Sequence, residues 1–263
     1  MLERVSSLGT ETYDGLQVEL RQSSYVHGDE TGWRENGKNG YLWGFFTKRI
    51  SYFTYPKTRA GHVVTDVLGD AYPGILVSDF YGGYNSHYGL HQRCLVHLLR
   101  DVHLLRDVHK LKETYPLSGV LDWCEKLHTL YKRSRDFSSE DKNALRFARV
   151  GYQRELVDLC SPYAGTSLPQ STLCERLLRF ESEMFTFVEH KEVPSENHPA
   201  ERGIRPRVIA LKMSGGTRSP AGSTKMVVLS SLFGTWELQG KNPLHACRQM
   251  IVGAQKRPTL DPA

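Results

Sequence analysis

Acidic residues at two predicted strand ends could together hold a divalent cation. Asp29 and Glu30 close a segment that begins at Tyr25, and Asp79 follows the apolar run 75–77. If these two strands are neighbours, their carboxylates meet at one end of a sheet and repel each other unless a cation neutralises them. Mg²⁺ or Mn²⁺ suits such oxygen ligands. The alternative, that each Asp only caps a turn, stays open at this point.

The adjacent acids Asp29 and Glu30 cannot both serve such a pocket. Successive side chains of a strand point to opposite faces of the sheet. One of the two carboxylates is therefore expected to face away from the cation.

A third carboxylate, Glu201, follows the helical block of the chain. Pro199 suits the first turn of a helix, so Glu201 lies in that opening turn, where an acid also interacts well with the helix dipole. The segment 201–225 carries this one acid and six cationic residues, which are Arg202, Arg205, Arg207, Lys212, Arg218 and Lys225. A carboxylate in so basic a stretch fits a metal-dependent enzyme that acts on a phosphate backbone.

The elements that must position these acids can be read from the pattern of the chain. We predict strands over 25–29, 41–47 and 50–56, with the Asn-Gly pairs of "GWRENGKNG" as reversal signals, so that the three strands form an antiparallel meander. The stretch "RAGHVVTDVLGD", 59–70, predicts a short helix that stops at Gly69, and the unalternating run 75–77 indicates a buried central strand. Residues 117–190 are helical almost throughout, and a further apolar helix runs from about 223 to 238.

An exact tandem repeat, "LLRDVH", occupies 98–103 and 104–109. Six residues advance an α-helix by about 600°, so the second copy is rotated by roughly 120° relative to the first. The two copies cannot present the same side chains to one surface. A six-residue duplication explains the repeat better than a solenoid does.

Composition describes an ordinary globular chain with a slight basic excess. The 263 residues are 39% hydrophobic and 24% charged, and the net charge is +5. Five cysteines without a CxxC pair argue against a disulfide framework and favour reduced thiols, and Cys94 and His97 have no second ligand pair to complete a zinc site. Because the chain shows neither a signal peptide nor a long apolar run, we expect a cytoplasmic protein that does not contact membranes.

Four motifs in a fixed order carry a resemblance to a known family. They are "HGDETGWRENGKNGYLWGF", "LVSDFYGGYN", "QRCLVHLLRD" and "NHPAERGIRP". Together they resemble the transposases of the insertion-sequence 66 family over about residues 20–250. The catalytic core of that family is similar to ribonuclease H and retroviral integrase.

The resemblance implies a fold and a site. The fold is α/β, with a ribonuclease H-like mixed sheet flanked by helices and interrupted by an all-helical insertion. The catalytic and metal-binding acids are Asp29 of "DET", Asp79 of "SDFYGGY" and Glu201 of "AER", which hold Mg²⁺ or Mn²⁺ for strand cleavage and strand transfer at insertion-sequence ends. The implied domains are 1–20 as a linker or the remnant of a missing N-terminal region, 21–112 as the first part of the core, 113–192 as the insertion, 193–245 as the second part with the glutamate helix, and 246–263 as a tail.

The expected partner is DNA, both transposon ends and target, bound by a homo-oligomer. The Gly-rich stretch "GGTRSPAGSTK" lacks the P-loop pattern, and we interpret it as a DNA backbone contact. The expected DNA-binding residues are Arg34, His97, Arg100, Arg202, Arg205, Arg218 and Lys225. Two alternatives stay open: an inactive transposase relic that binds DNA or assembles without cleaving, and a structure-specific nuclease of the same fold.

Overall fold

A computed structural model describes residues 2–112 and 119–255. These residues form two compact units. The sheet unit takes the described residues up to Leu76, Tyr81–Gly89 and those from His198 onward. The helical unit takes Val77–Phe80 and the described residues from Leu90 to Asn197.

The described part of the chain alternates helices and strands in a fixed order. The strands are β1 (Tyr25–Glu35), β2 (Lys38–Phe46), β3 (Ser51–Thr54), β4 (Ile75–Ser78) and β5 (His91–Arg93). The helices are α1 (Leu2–Arg21), α2 (His62–Leu68), α3 (Leu95–Lys112), α4 (Val120–Asp136), α5 (Lys142–Cys160), α6 (Ser171–Arg179), α7 (Thr186–Glu189), α8 (His198–Ser214), α9 (Pro220–Leu238) and α10 (Pro243–Gln255). In the described ranges, no helix has the length and apolarity needed to cross a membrane.

The strands form one sheet in the order β3-β2-β1-β4-β5. The antiparallel meander of β1, β2 and β3 is as predicted. The first strand is longer than predicted, because it does not end at Asp29 but continues to Glu35. Asn36 and Gly37 make the reversal, with φ of 50° and 75°, which suits a two-residue Asn-Gly hairpin turn. The second Asn-Gly pair, at 39–40, lies inside β2.

The two faces of the sheet unit bury different helices. On one face, Val26, Trp43 and Phe45 pack in a cluster with Leu20 of α1 and Val64 of α2. On the other face, the cluster of Trp33, Leu42, Phe46 and Phe53 contains Ala200 and Ile204 of α8. The glutamate helix α8 therefore covers one face of the sheet, and it does so with the residues next to Glu201.

The edge strand β3 is covered by α9 through side-chain hydroxyls. The backbone N–H of Phe53 donates to Ser231 Oγ at 2.8 Å, and that of Ser51 donates to Thr235 Oγ1 at 3.0 Å. These bonds satisfy donors that a sheet edge otherwise leaves open to another chain.

The segment 1–20, expected to be a linker or the remnant of a missing N-terminal region, forms most of the helix α1. Its Leu16 and Leu20 are buried in the core of the sheet unit. A Cβ at Gly9 would lie 2.4 Å from Leu232 Cδ1, so α1 approaches α9 closely where it has no side chain. Because Gly9 lies in the buried face of α1, it weakens the apolar periodicity by which a helix is recognised in the sequence.

The helical unit has its own core around Trp123, Leu127 and Tyr131 of α4. The repeat lies in α3, where Leu98 of the first copy is fully buried and its counterpart Leu104 is 65% exposed. The copies thus present different faces, as their rotation requires. The predicted insertion begins at 113, and residues 113–118 lie outside the described ones. Helix α3, which precedes that boundary, belongs to the helical unit and packs with α4 there.

The end of the chain was expected to be a polar tail over 246–263. Helix α10, Pro243–Gln255, takes up 246–255 of it. Residues 256–263 lie outside the described ones.

Candidate active site

The adjacent acids of β1 lie on opposite faces of the sheet. Gly28 and Glu30 share a face, since a Cβ at Gly28 would lie 2.9 Å from the Tyr84 ring and the Tyr84 hydroxyl donates to Glu30 Oε2 at 2.6 Å. Trp33 lies in the cluster of the other face, beneath α8. Because strand side chains alternate, Asp29 belongs to the face of Trp33. The two acids therefore lie on opposite faces, as strand alternation predicts, and the role of Asp29 in a metal site stays a prediction.

Glu30 is a structural carboxylate. Its side chain is only 3% exposed, and its Oε1 lies 2.5 Å from Arg59 Nη2. The same guanidinium stacks over the Tyr81 ring, 3.7 Å from its centroid. With Arg59 and Tyr84 as partners, the buried charge of Glu30 is satisfied within the fold.

Asp29 is half-buried beside a position without a side chain. Its Oδ1 accepts the backbone N–H of Glu30 at 2.9 Å. Its partner across the ladder is Gly44, and a Cβ there would lie 2.6 Å from the Phe46 ring. The Phe46 ring therefore covers the backbone of Gly44, the ladder partner of Asp29, on the α8 face.

Glu201 lies in the first turn of α8, as predicted. It is half-buried, and its Oε2 lies 3.2 Å from Nδ1 of His198 at the start of the same helix. The neighbouring Gly203 has no room for a side chain, because a Cβ would lie 2.2 Å from Phe46 Cε1. Because Gly203 has no side chain, α8 lies close to the sheet at Phe46. This packing sets the distance between Glu201 and the face of the sheet that carries Asp29.

Asp79 directly follows β4, as predicted, and belongs to the helical unit. The residue as a whole is half-buried. Its carbonyl oxygen accepts two hydrogen bonds, from Ser78 Oγ and from Arg93 Nη1, each at 2.8 Å. This support could not be predicted from the sequence, because Arg93 lies in a different strand, β5.

The predicted DNA-binding residues fall on both units. On the sheet unit, Arg34, Arg202, Arg205 and Arg218 are exposed, whereas Lys225 is ion-paired with Glu3 of α1 at 3.0 Å. On the helical unit, His97 is half-buried and Arg100 exposed, both in α3 directly after β5, which is the predicted strand-to-helix segment.

The Gly-rich loop between α8 and α9 is clamped to the tip of the β1–β2 hairpin. The N–H of Thr217 donates to the Arg34 carbonyl at 2.9 Å, and the N–H of Asn36 donates to the Thr217 carbonyl at 2.8 Å. Gly216 has φ of 103°, and a Cβ there would lie 2.1 Å from the Arg34 carbonyl oxygen. The clamp puts Arg218 and Arg34 on the same rim of the sheet unit.

Glu35 neutralises part of this rim. Its carboxylate lies 2.8 Å from Lys57 Nζ and accepts from Ser223 Oγ at 2.6 Å. The hydrogen bond from Lys57, aided by that from Ser223, lowers the pKa of Glu35 from its ordinary value. Glu35 thus stays ionised and compensates Lys57, while Arg34 and Arg218 face solvent.

Arg207 of α8 belongs to the basic stretch 201–225, but the sequence did not assign it a role in DNA binding. It lines a cavity of about 450 Å³ between α8, α9 and the turn after β2. Its Nη1 donates to Ser230 Oγ at 2.8 Å, and burial lowers the pKa of Arg207 from its ordinary value. Only the basic character of the segment, not its spacing, could have pointed to this residue.

No group of three or more His, Cys, Asp or Glu residues within 2–112 and 119–255 is arranged to hold a metal ion. Cys94, which the sequence places near His97, is buried, and its Sγ accepts the backbone N–H of Asn197 at 3.2 Å.

Comparison with known families decides the class of protein. A model described as the Transposase IS66 family matches residues 1–225. The chain belongs to this family. The resemblance drawn from the four motifs is therefore confirmed, and the matched range includes Asp29, Asp79 and Glu201. No curated protein matches this transposase-family chain.

Proposed function

We propose that this IS66-family chain is a metal-dependent DNA strand transferase in which Asp29, Asp79 and Glu201 are the catalytic acids. The observation that carries the proposal is the separation of the acids on β1. Glu30 is sequestered by Arg59 and Tyr84, whereas Asp29 belongs to the face of the sheet that α8 covers. Glu201 is presented by that helix. In this proposal the five-stranded sheet with its flanking helices is a ribonuclease H-like core.

The donor chemistry of the three acids fits Mg²⁺ or Mn²⁺. All are carboxylates, the hard oxygen donors that these cations prefer, and all are half-buried, so that they remain accessible to an ion from solvent. When bound, the metal would supply an activated water or DNA 3′-hydroxyl and stabilise the leaving oxygen. The chain's own contribution is to hold the carboxylates: Phe46 and Gly203 set the height of α8, and His198 contacts Glu201.

DNA is the proposed substrate, and the exposed cations are its proposed contacts. Arg34 and Arg218 share one rim because Thr217 clamps the loop to the hairpin. Arg202 and Arg205 are exposed on the helix that carries Glu201. Such side chains bind phosphates without reading the base sequence. Since transposition joins two element ends to one target, we propose that the chain acts as a homo-oligomer on DNA.

The experiment that tests the function is incubation with labelled insertion-sequence ends, a target plasmid and Mn²⁺. We expect nicking at the element end and joining to the target, both abolished by EDTA and by Asp79→Ala. Nicking that survives Asp79→Ala would contradict the assignment. Binding without cleavage would show an inactive relic, and cleavage of branched DNA without joining would show a nuclease.

The rim cations give a prediction on salt dependence. Arg218→Gln should weaken DNA binding and reduce the slope of log K against log salt by about 0.9, because one phosphate contact is lost. The measurement is a fluorescence anisotropy titration at several salt concentrations. Arg135→Gln, at the exposed end of α4, changes the net charge equally and should leave the slope unchanged. Equal slopes for wild type and Arg218→Gln would remove Arg218 from the interface.

A further inference from the structure

A cluster of polar and charged side chains, buried except for a partly exposed Glu183, contacts the backbone of Asp79 inside the helical unit. We call it the Glu183 network, and its members are Glu183, Arg93, His91 and Ser78. Arg93 is fully buried, and its Nε donates to Glu183 Oε2 at 2.6 Å. The Nδ1 of His91 lies 3.2 Å from the same carboxylate oxygen. One carboxylate thus contacts two neighbouring side chains of β5.

Both of these side chains lead to the backbone of Asp79. Arg93 Nη1 donates to the Asp79 carbonyl at 2.8 Å. The Ser78 hydroxyl donates to the Asp79 carbonyl at 2.8 Å, and His91 Nε2 lies 2.8 Å from the same Ser78 Oγ. The carbonyl oxygen of the residue after β4 is therefore held from two sides, once directly and once through Ser78.

The segment that carries Glu183 is itself fixed to β5. Gln92 Nε2 donates to the Met184 carbonyl at 3.2 Å, and its Oε1 accepts the N–H of Phe187 at 3.0 Å. Thr186 Oγ1 donates to the His91 carbonyl at 2.6 Å. These bonds leave Glu183 little freedom, so its position is transmitted to Arg93 and onward to Asp79.

The hydrogen-bond order Ser78, His91, Glu183 resembles that of a hydrolase triad, but burial excludes a nucleophile here. Ser78 has no exposed surface and His91 is 4% exposed, so no substrate can reach the hydroxyl. A buried guanidinium is also a costly way to fill a core, because apolar residues of similar size often serve stability as well. Unlike an apolar residue at this position, Arg93 donates a hydrogen bond to the Asp79 carbonyl.

We propose that the Glu183 network positions Asp79, and that the helical segment between the core motifs thereby supports the second catalytic acid. The inference rests on the proposed function for the role of Asp79. Ser78, His91, Arg93 and Glu183 touch no substrate in this proposal and act through the backbone of Asp79. Partners behind a metal-binding carboxylate orient it, and their loss typically lowers metal affinity 10- to 100-fold.

The test is Glu183→Gln in the full chain, which keeps the side-chain shape and removes the charge that holds Arg93. We expect the Mn²⁺ concentration for half-saturation, measured by electron paramagnetic resonance of free Mn²⁺, to rise about tenfold. Without metal, amide hydrogen exchange of the peptide that contains Asp79 should become about tenfold faster, because a charge-assisted support is lost.

Glu181→Gln is the matched control, since Glu181 lies in the same short turn and its substitution removes the same charge. It should change neither the Mn²⁺ midpoint nor the exchange at Asp79. A purely structural role of Glu183 would lower thermal stability and leave the Mn²⁺ midpoint unchanged. That result, or equal exchange in Glu183→Gln and wild type, would overturn the proposal.

Failure of the proposed function gives a different result. If the wild type neither binds Mn²⁺ nor nicks DNA, the catalytic assignment fails, and the hydrogen exchange without metal still decides whether the network holds Asp79. If Glu183→Gln does not fold, Ser78→Ala takes its place, because it removes one bond to the Asp79 carbonyl and leaves every charge in place. We expect a smaller shift in the same direction, and unchanged exchange would overturn the inference.

Discussion

Asp29→Ala should abolish metal-dependent strand cleavage while the protein stays folded. In the proposed function Asp29 helps to hold a metal ion that supplies several kcal/mol of transition-state stabilisation, so its removal should lower the rate about a thousandfold or more. The cost in stability should be within about 1 kcal/mol, because Asp29 is half-buried and its Oδ1 accepts from the next residue of its own strand. The measurement is single-turnover nicking of a labelled element end, with circular dichroism to verify folding.

Glu30→Ala is the control. It should lower the stability of the protein and leave strand cleavage largely unchanged. Glu30 is ion-paired with Arg59 and accepts from the buried Tyr84 hydroxyl. Its removal leaves that hydroxyl without its acceptor, so the free energy of unfolding should fall by about 2 kcal/mol. Nicking below the unfolding transition should be largely retained. If Glu30→Ala abolished nicking in a folded protein and Asp29→Ala did not, the assignment of the two acids would be reversed.

The placement of Asp29 and Glu30 on opposite faces of the sheet could be predicted from the sequence. Strand alternation requires that they face opposite ways, whatever the rest of the fold. The apolar pattern did not predict how far β1 continues. Trp33 and Glu35, which follow the acids, are also buried. The strand ends only before Asn36 and Gly37, which adopt positive φ. Local periodicity thus predicts which side chains share a face of β1. The end of the strand is determined by the turn residues Asn36 and Gly37 instead.

The supports of the candidate site were beyond sequence reasoning, because they depend on contacts between distant residues. Glu183 lies 90 residues from Arg93, and Thr217 lies 183 residues from Arg34. Each pair is brought together by packing of several elements, and neither has a local signature. The exposed cations of the Gly-rich loop could be predicted from composition, but their place beside the hairpin could not.

The helix that carries Glu201 gives the second large expected effect, through Gly203. Alanine normally stabilises a helix relative to glycine by about 0.5–1 kcal/mol. At Gly203 the added methyl would lie 2.2 Å from the Phe46 ring. That ring cannot retreat easily, because it is 2% exposed, contacts Phe53 edge-on with centroids 5.4 Å apart, and covers Gly44. Gly203→Ala should therefore destabilise the protein by about 1–3 kcal/mol, as overpacking of a core does.

Gly151→Ala is a matched control within α5, because no atom lies within 4 Å of the added Cβ. It should stabilise the protein by about 0.5–1 kcal/mol, so the same substitution has opposite signs at the two sites. Chemical denaturation of both variants measures the difference. Stabilisation by Gly203→Ala would show that Phe46 does not set the distance of α8 from the sheet.

Cleavage by Gly203→Ala should fall further than its stability does, because α8 must move away from the sheet and carries Glu201 with it. A displacement of about 1 Å at a catalytic group can cost roughly a hundredfold in rate. Phe46→Leu in the same chain shortens the side chain that the new methyl meets, so the double variant should recover part of both losses. The two substitutions should then be coupled by about 1 kcal/mol in the free energy of unfolding. Additive effects would instead mean that Gly203 acts without Phe46, and that the height of Glu201 above the sheet is set by Ala200 and Ile204 alone.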